Sequence, residues 1–257
     1  MGDPKIVITG TGRAGTTLLV RLLDELGLDT GLHEGKLTPY AANVRAGLEC
    51  RVDDPGAPTV VKDMTLGFRI RAVLGGGDVR IAHVLIPSRR LDIAAASRVR
   101  AANYGRMPFR RGALVGTLRA TNQAKVLADM WEELLGALDD FQIPYTVIEF
   151  PRFALDAPYT HETLGAVLPH TALEDVAAAL ERCVRPEMIH EQPLTGRERW
   201  TARVTTVWNG AARFPLARFR RWRDPEASEA RLRASVAAAR RPAATDAEGD
   251  EPSAPPG

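Results

Sequence analysis

Three glycines lie close together near the start of the chain, between an apolar run and an amphipathic one. The stretch reads Ile6-Val7-Ile8-Thr9-Gly10-Thr11-Gly12-Arg13-Ala14-Gly15-Thr16-Thr17-Leu18-Leu19-Val20. Its pattern predicts a strand, a tight turn and a helix. Glycine lets the backbone turn so that N–H groups approach an anion, and the helix that begins near Gly15 directs its positive dipole end to the same place. The stretch therefore predicts a site for a phosphate or sulfate group.

The spacing from Gly10 to Thr17 fits the phosphate-binding pattern G-x-x-x-x-G-K-[ST], with Thr16 in place of the lysine. In nucleotide triphosphatases that lysine neutralises the β- and γ-phosphates. Because the lysine is missing and Arg13 lies one turn earlier, the loop suits a different phosphate ester. A tight strand-to-helix connection without a ligand is the alternative that the pattern leaves open.

A second candidate segment follows the best-defined strand signal. Ile81-Ala82-His83-Val84-Leu85-Ile86 is nearly continuous apolar sequence, which is typical of a central parallel strand, and we expect Pro87 to stop it. We expect His83 to be a packed core histidine. Arg89 and Ser97 follow, eight positions apart. An arginine at the strand end and a hydroxyl two turns into the next helix can converge on one phosphate.

These segments resemble two motifs of the sulfotransferases. Gly12-Arg13-Ala14-Gly15-Thr16-Thr17 is similar to that family's 5′-phosphosulfate loop, commonly [KR]-[SAT]-G-[TS]-T. The segment from Ser88 to Arg98 resembles its 3′-phosphate motif, R-[DP]-P-x-[DE]-x-x-x-S, although Arg90-Leu91 replaces the central proline. The resemblance covers roughly residues 5 to 149. It implies a three-layer α/β P-loop fold, similar to that of nucleotide kinases, with a central parallel sheet and helices on both faces.

The resemblance also implies an activity and a donor. It predicts a sulfotransferase that moves a sulfuryl group from 3′-phosphoadenosine 5′-phosphosulfate (PAPS) to a hydroxyl or amine of a small-molecule or glycan acceptor. Adenosine 3′,5′-bisphosphate (PAP) would be the product, and no metal is expected. Arg13 would stabilise charge on the transferring group. The residues implied in donor binding are Thr11, Gly12, Arg13, Ala14, Gly15, Thr16, Thr17, Arg89 and Ser97.

Sulfuryl transfer to an alcohol needs a base that takes the acceptor's proton. His33 and Glu34 lie side by side in a short polar segment after the first helix. Glu34 is the first choice, because related bacterial sulfotransferases place an acceptor-activating glutamate there. His33 is the competitor, because many cytosolic members use a histidine, although theirs lies later in the chain. Ordinary solvated charges on a surface loop are the third interpretation.

A short β-branched run, Thr59-Val60-Val61-Lys62-Asp63, predicts another parallel strand that delivers polar residues to the carboxyl edge of the sheet. It resembles the Val-Lys-Asp-Pro-Arg segment of several sulfotransferase subfamilies, although Met64 and Thr65 replace the last two residues. The role of Lys62 is therefore open. An ion pair with Asp63 or with a neighbouring loop is the structural interpretation.

Length and composition favour one α/β domain with extensions, since the chain has 257 residues, 45% of them hydrophobic, and a formal net charge of +2. We expect the sulfotransferase-like domain over residues 1–223 and a helical or disordered tail over 224–257. Residues 213–223 mix basic and aromatic side chains, a pattern that also occurs at nucleic-acid sites. Because the net charge is near zero, we favour a helix that buries its aromatics, and no nucleic-acid partner.

Cys50 and Cys183 have neither metal-binding nor redox spacing, and no signal segment or long apolar run is visible. We therefore expect a cytoplasmic protein without a membrane span. The oligomeric state and the acceptor stay open. Two other functions compete with the sulfotransferase: a kinase-like phosphotransferase, to which the missing lysine is the main objection, and a nucleotide-binding module without catalysis.

Overall fold

The structure, a computed structural model, describes residues 3–33, 37, 47–103, 122–189, 193, 195, 196 and 198. Its strands are β1 (Lys5–Ile8), β2 (Val60–Lys62), β3 (Ile81–Ser88) and β4 (Tyr145–Glu149). The α-helices of the described residues are α1 (Thr16–Glu25), α2 (Ile70–Gly76), α3 (Leu91–Asn103), α4 (Gln123–Asp140), α5 (Arg152–Leu155), α6 (Ala157–Leu164) and α7 (Leu173–Cys183). Strands and helices alternate from β1 to α3, as the sequence predicts for an α/β fold.

The four strands form one parallel sheet in the order β2-β1-β3-β4. The chain steps outward from β1 to β2 and then crosses back to the other side of β1 to form β3. The direction of winding therefore changes between β1 and β3, and open parallel sheets bind ligands at the carboxyl ends of the strands at such a point. The loops after β1 and β3 carry the two segments that the sequence singles out.

Alternate strand residues pack on opposite faces of the sheet. On one face Ile8, Val60 and Leu85 join a core with side chains of α1 and α5–α7. On the other face Val7, Val61, Val84 and Ile86 join a core with side chains of α2 and α4. The predicted α/β class, with a central parallel sheet covered by helices on both faces, is confirmed by this packing.

One strand differs from the prediction, because β3 continues through Pro87 to Ser88. The carbonyl of Leu85 accepts from Thr9 N on the β1 side, and that of Ser88 accepts from Phe150 N on the β4 side. Backbone groups alternate along a strand, so the nitrogen of Pro87 faces the β1 side. Since β1 ends at Ile8, opposite Leu85, the missing N–H of Pro87 interrupts no pairing.

The described residues belong to one compact unit. The predicted boundary at residue 223, the tail over 224–257 and the basic-aromatic segment 213–223 lie outside the described residues. Within the described ranges, no helix is both long and apolar enough to cross a membrane.

Candidate functional site

The glycine-rich loop, residues 9–15, joins β1 to α1 at the carboxyl edge of the sheet. Gly10, Gly12, Arg13 and Gly15 have positive φ angles of 133°, 67°, 60° and 81°. Such turns direct successive backbone N–H groups toward a common centre and make a concavity for an anion. Gly15 is the N-cap of α1, and no described side chain caps the first N–H groups of the helix. The loop and the helix end therefore offer main-chain donors in one place.

The glycine-rich loop also packs closely on the structure behind it. A Cβ at Gly15 would lie 2.6 Å from Cδ2 of Phe150 and 3.0 Å from Cε1 of Phe153. At Gly12 it would lie 2.6 Å from Nη2 of Arg98. Positive φ together with the contacts to two aromatic rings requires glycine at position 15, whereas at position 12 the end of the Arg98 side chain would have to move. The packing fixes the shape of the loop without a ligand.

Gly15→Ala should lower the free energy of unfolding by about 2 to 4 kcal/mol, because left-handed strain and overpacking against Phe150 add. Gly27→Ala is the matched control, since Gly27 has a φ of 85° but no atom within 4 Å of an added Cβ. It should cost only about 1 kcal/mol, the strain alone. Urea unfolding followed by circular dichroism measures both. Equal costs would show that the contact with Phe150 is not tight.

The two predicted phosphate-binding segments meet at Arg13. Its Nε donates to Oγ of Ser97 over 3.0 Å, and its carbonyl oxygen accepts from Nη1 of Arg89 over 3.2 Å. Cζ of Arg89 also lies 5.2 Å from the centroid of the Phe150 ring, within cation–π range. The structure thus brings Arg13, Arg89 and Ser97 together, and Arg89 supports the backbone of the loop.

Arg98, which the sequence analysis did not single out, is a further basic residue at the loop. Its side chain is buried, and Nη2 donates to the carbonyl oxygen of Thr11. Burial, and then the charge of Arg13, lower the pKa of Arg98 to about 10, while the charge of Glu49 opposes the shift. Arg98 directly follows Ser97 in the second motif, and this position could have identified it from the sequence as a residue of the site.

Lys62, at the carboxyl end of β2, reaches the first turn of α1, directly after the loop. Its Nζ donates to Oγ1 of Thr17 over 2.9 Å and to the carbonyl oxygen of Gly47 over 2.6 Å, and lies 3.4 Å from Oε1 of Glu49. The side chain is 2% exposed, and burial lowers the pKa of Lys62 although Glu49 raises it. Lys62 therefore forms an ion pair with a neighbouring segment, through Glu49, and it also contacts the start of α1.

Asp63 is not the partner of Lys62. Its carboxylate accepts from the Arg69 guanidinium, from the Thr65 hydroxyl over 2.7 Å and from Val52 N over 3.1 Å. Neighbouring strand residues point to opposite faces of a sheet. Lys62 therefore faces α1, as Val60 does, whereas Asp63 faces away from it.

The other implied donor-binding residues form the inner wall of the loop. Thr11, Ala14 and Thr16 are buried, and Thr17 is half-buried beside Lys62. The hydroxyl of Thr11 has no hydrogen-bond partner among the described residues although it is buried. Buried hydroxyls are normally satisfied, so this one is a group that a bound ligand could satisfy.

The site thus combines main-chain N–H groups with the cations of Arg13, Lys62, Arg89 and Arg98, an arrangement suited to phosphate or sulfate. Comparison with family models, curated proteins and solved structures gives no match. The function therefore has to follow from the chemistry of the site itself. Within the described part of the chain, no group of three or more His, Cys, Asp or Glu residues is arranged to hold a metal ion.

The structure does not bring His33 to the glycine-rich loop. Its Nε2 lies 3.1 Å from Oδ2 of Asp24, and the side chain is 86% exposed. Asp24 is eight residues after Thr16, so it lies about 12 Å further along the axis of α1 than the first residue of the helix. Glu34 lies outside the described residues, and its role as a base stays a prediction.

His83 lies in the half of β3 away from the carboxyl edge, opposite Ile6. It is half-buried, and its Nε2 shares a hydrogen bond of 2.7 Å with Oγ1 of Thr146. Burial lowers the pKa of His83. The packed position agrees with the expectation from the sequence.

Proposed function

We propose that this chain is a PAPS-dependent sulfotransferase whose donor binds at the carboxyl ends of β1 and β3. The observation that carries the proposal is the hydrogen bond from Nζ of Lys62 to Oγ1 of Thr17. Thr17 has the position whose hydroxyl binds Mg²⁺ in the nucleotide triphosphatase pattern. An ammonium group on that hydroxyl supplies positive charge where the metal would lie, which suits a donor used without a metal.

Each part of the donor has a matching part of the site in this proposal. The loop N–H groups and the start of α1 bind the 5′-phosphosulfate. Arg13 and Lys62 stabilise the charge that develops on the phosphate as it leaves. Arg89 and Ser97 lie on the α3 side of Arg13, where the 3′-phosphate would bind, and Arg89 also holds the loop.

A kinase-like phosphotransferase is the second candidate, and the position of Lys62 gives one argument for it and one against it. The sequence lacks the lysine of the triphosphatase pattern, but Lys62 returns a lysine to the loop from another strand. A kinase would need the Thr17 hydroxyl for Mg²⁺, and Lys62 occupies it. A requirement for magnesium therefore separates the two enzymes.

Calorimetry with PAP, AMP and ATP, each with and without magnesium, tests the proposal. A charge-assisted hydrogen bond contributes about 1.5 to 3 kcal/mol, or roughly ten- to a hundredfold in affinity. PAP should therefore bind at least about tenfold more tightly than AMP, and chelation of magnesium should not change its affinity.

Tightest binding of ATP, and only with magnesium, would favour the kinase-like enzyme instead. PAP binding without release of PAP from PAPS, in water or with a panel of alcohols, phenols and amines, would leave a nucleotide-binding module. Failure of all three nucleotides to bind would overturn every adenine-nucleotide function for the site.

A further inference from the structure

Glu49 is held at the carboxyl end of β2 by the segment around it. Cys50 N donates to the carbonyl oxygen of Lys62 over 3.1 Å, so this segment runs beside the end of the strand. Leu48 has a positive φ of 56°, and its buried side chain packs in the same core as α1. A left-handed leucine is held only where the surrounding packing demands it. The backbone of Glu49 therefore has a fixed place next to the glycine-rich loop.

The Glu49 carboxylate is more exposed to solvent than the Lys62 ammonium with which it pairs. Oε1 is 3.4 Å from Nζ of Lys62, and the glutamate side chain is 39% exposed while the lysine is 2% exposed. Its charge also acts on Arg98, whose guanidinium donates to the carbonyl oxygen of Thr11. Because the carboxylate is part-exposed and lies beside Lys62, an acceptor that enters from this side of the site can reach it.

Building on the proposed function, we propose that Glu49, in place of Glu34, is the base that takes the acceptor's proton. The acceptor oxygen forms a bond to sulfur, and the bond from sulfur to the bridging phosphate oxygen breaks. PAP leaves with that electron pair, and the proton of the acceptor hydroxyl moves to the carboxylate of Glu49. Lys62, beside both groups, stabilises the leaving phosphate.

A base and a merely structural ion pair have different consequences at this position. A carboxylate beside an anion site repels the donor, so it should weaken donor binding. A base nevertheless speeds the transfer by about 10²- to 10⁴-fold. Glu49→Gln should therefore lower turnover without weakening donor binding, whereas loss of a structural contact would weaken both.

The experiment compares Glu49→Gln with the wild-type protein in two measurements. Calorimetry with PAP should show affinity that is unchanged or up to about tenfold higher, because the repulsion is gone. Release of PAP from PAPS, measured by chromatography with water and with the acceptor panel, should fall by about a hundredfold or more. Glu49→Asp keeps a carboxylate on a shorter side chain, so its turnover should lie between those of the wild type and Glu49→Gln. This variant guards against a folding defect in the amide variant.

Glu133→Gln is the matched control. Glu133, on α4, is also a part-exposed glutamate in an ion pair, 2.8 Å from Arg71 of α2. The control variant should leave both measurements unchanged. Turnover of Glu49→Gln within threefold of wild type would overturn the assignment of Glu49 and leave the sulfotransferase proposal intact. If the wild-type protein binds PAP but releases none from PAPS, both the sulfotransferase activity and the role of Glu49 as its base are overturned. If the protein does not bind PAP, the proposed donor site is overturned too.

Discussion

Lys62→Met should weaken PAP binding by about ten- to a hundredfold and leave the free energy of unfolding within about 1 kcal/mol of wild type. We expect the loss of binding because Nζ of Lys62 donates a hydrogen bond to the Thr17 hydroxyl, beside the expected position of the anion. Stability changes little because the cost of burying the ammonium disappears together with its hydrogen bonds, and because the Glu49 carboxylate left behind is 39% exposed and is solvated by water. Methionine has similar length and packs in the same space. Calorimetry and urea unfolding measure the two quantities.

Lys125→Met is the matched control for this prediction. Lys125 also pairs with a carboxylate, Asp129 at 3.0 Å, but it is exposed on α4. It should change neither PAP affinity nor stability by a measurable amount, because exposed pairs contribute about 0 to 1 kcal/mol. A large loss of stability in Lys62→Met with PAP binding preserved would make Lys62 a structural residue and remove the main support for a site that works without metal.

The sequence predicts what depends on local pattern. The apolar run, the three glycines and the leucine spacing that follows are all within one short segment, and β1, the loop and α1 form there. The alternation of side chains along a strand also explains why Lys62 and Asp63 point to opposite faces of the sheet and have different partners. The prediction that Pro87 stops β3 is wrong because the effect of a proline on a strand depends on where the neighbouring strand ends. A local sequence pattern does not contain that information.

The rest of the site depends on the order of the strands. Lys62 meets Thr17 across 45 positions, and Arg98 meets Thr11 across 87. These contacts exist because β2 and β3 lie on either side of β1, so that both deliver cations to one loop. Periodicity predicts the strands but not their order. The pairing of Glu49 with Lys62 could not be predicted for the same reason, since it depends on the place of Glu49 beside the end of β2.

Arg13→Gly should slow the release of PAP from PAPS by about 10²- to 10³-fold, because it removes a positive group from the place where charge develops. PAP binding should fall less, by about ten- to a hundredfold, since the product makes only part of that interaction. The protein should nevertheless stay folded. Arg13 has a φ of 60°, a conformation that costs a non-glycine residue about 1 to 2 kcal/mol and that glycine adopts freely.

Gln142→Gly separates this effect on the backbone from the effect on the site. Gln142 also has a positive φ, 55°, in the exposed turn between α4 and β4. In both variants the relief of strain offsets the extra freedom of glycine in the unfolded chain, about 0.5 to 1 kcal/mol, so their unfolding free energies should stay close to wild type. Only Arg13→Gly should lose turnover. If it keeps turnover within threefold of wild type, the strained arginine has no role in the transfer, and its conformation serves the contacts that it makes with Ser97 and Arg89.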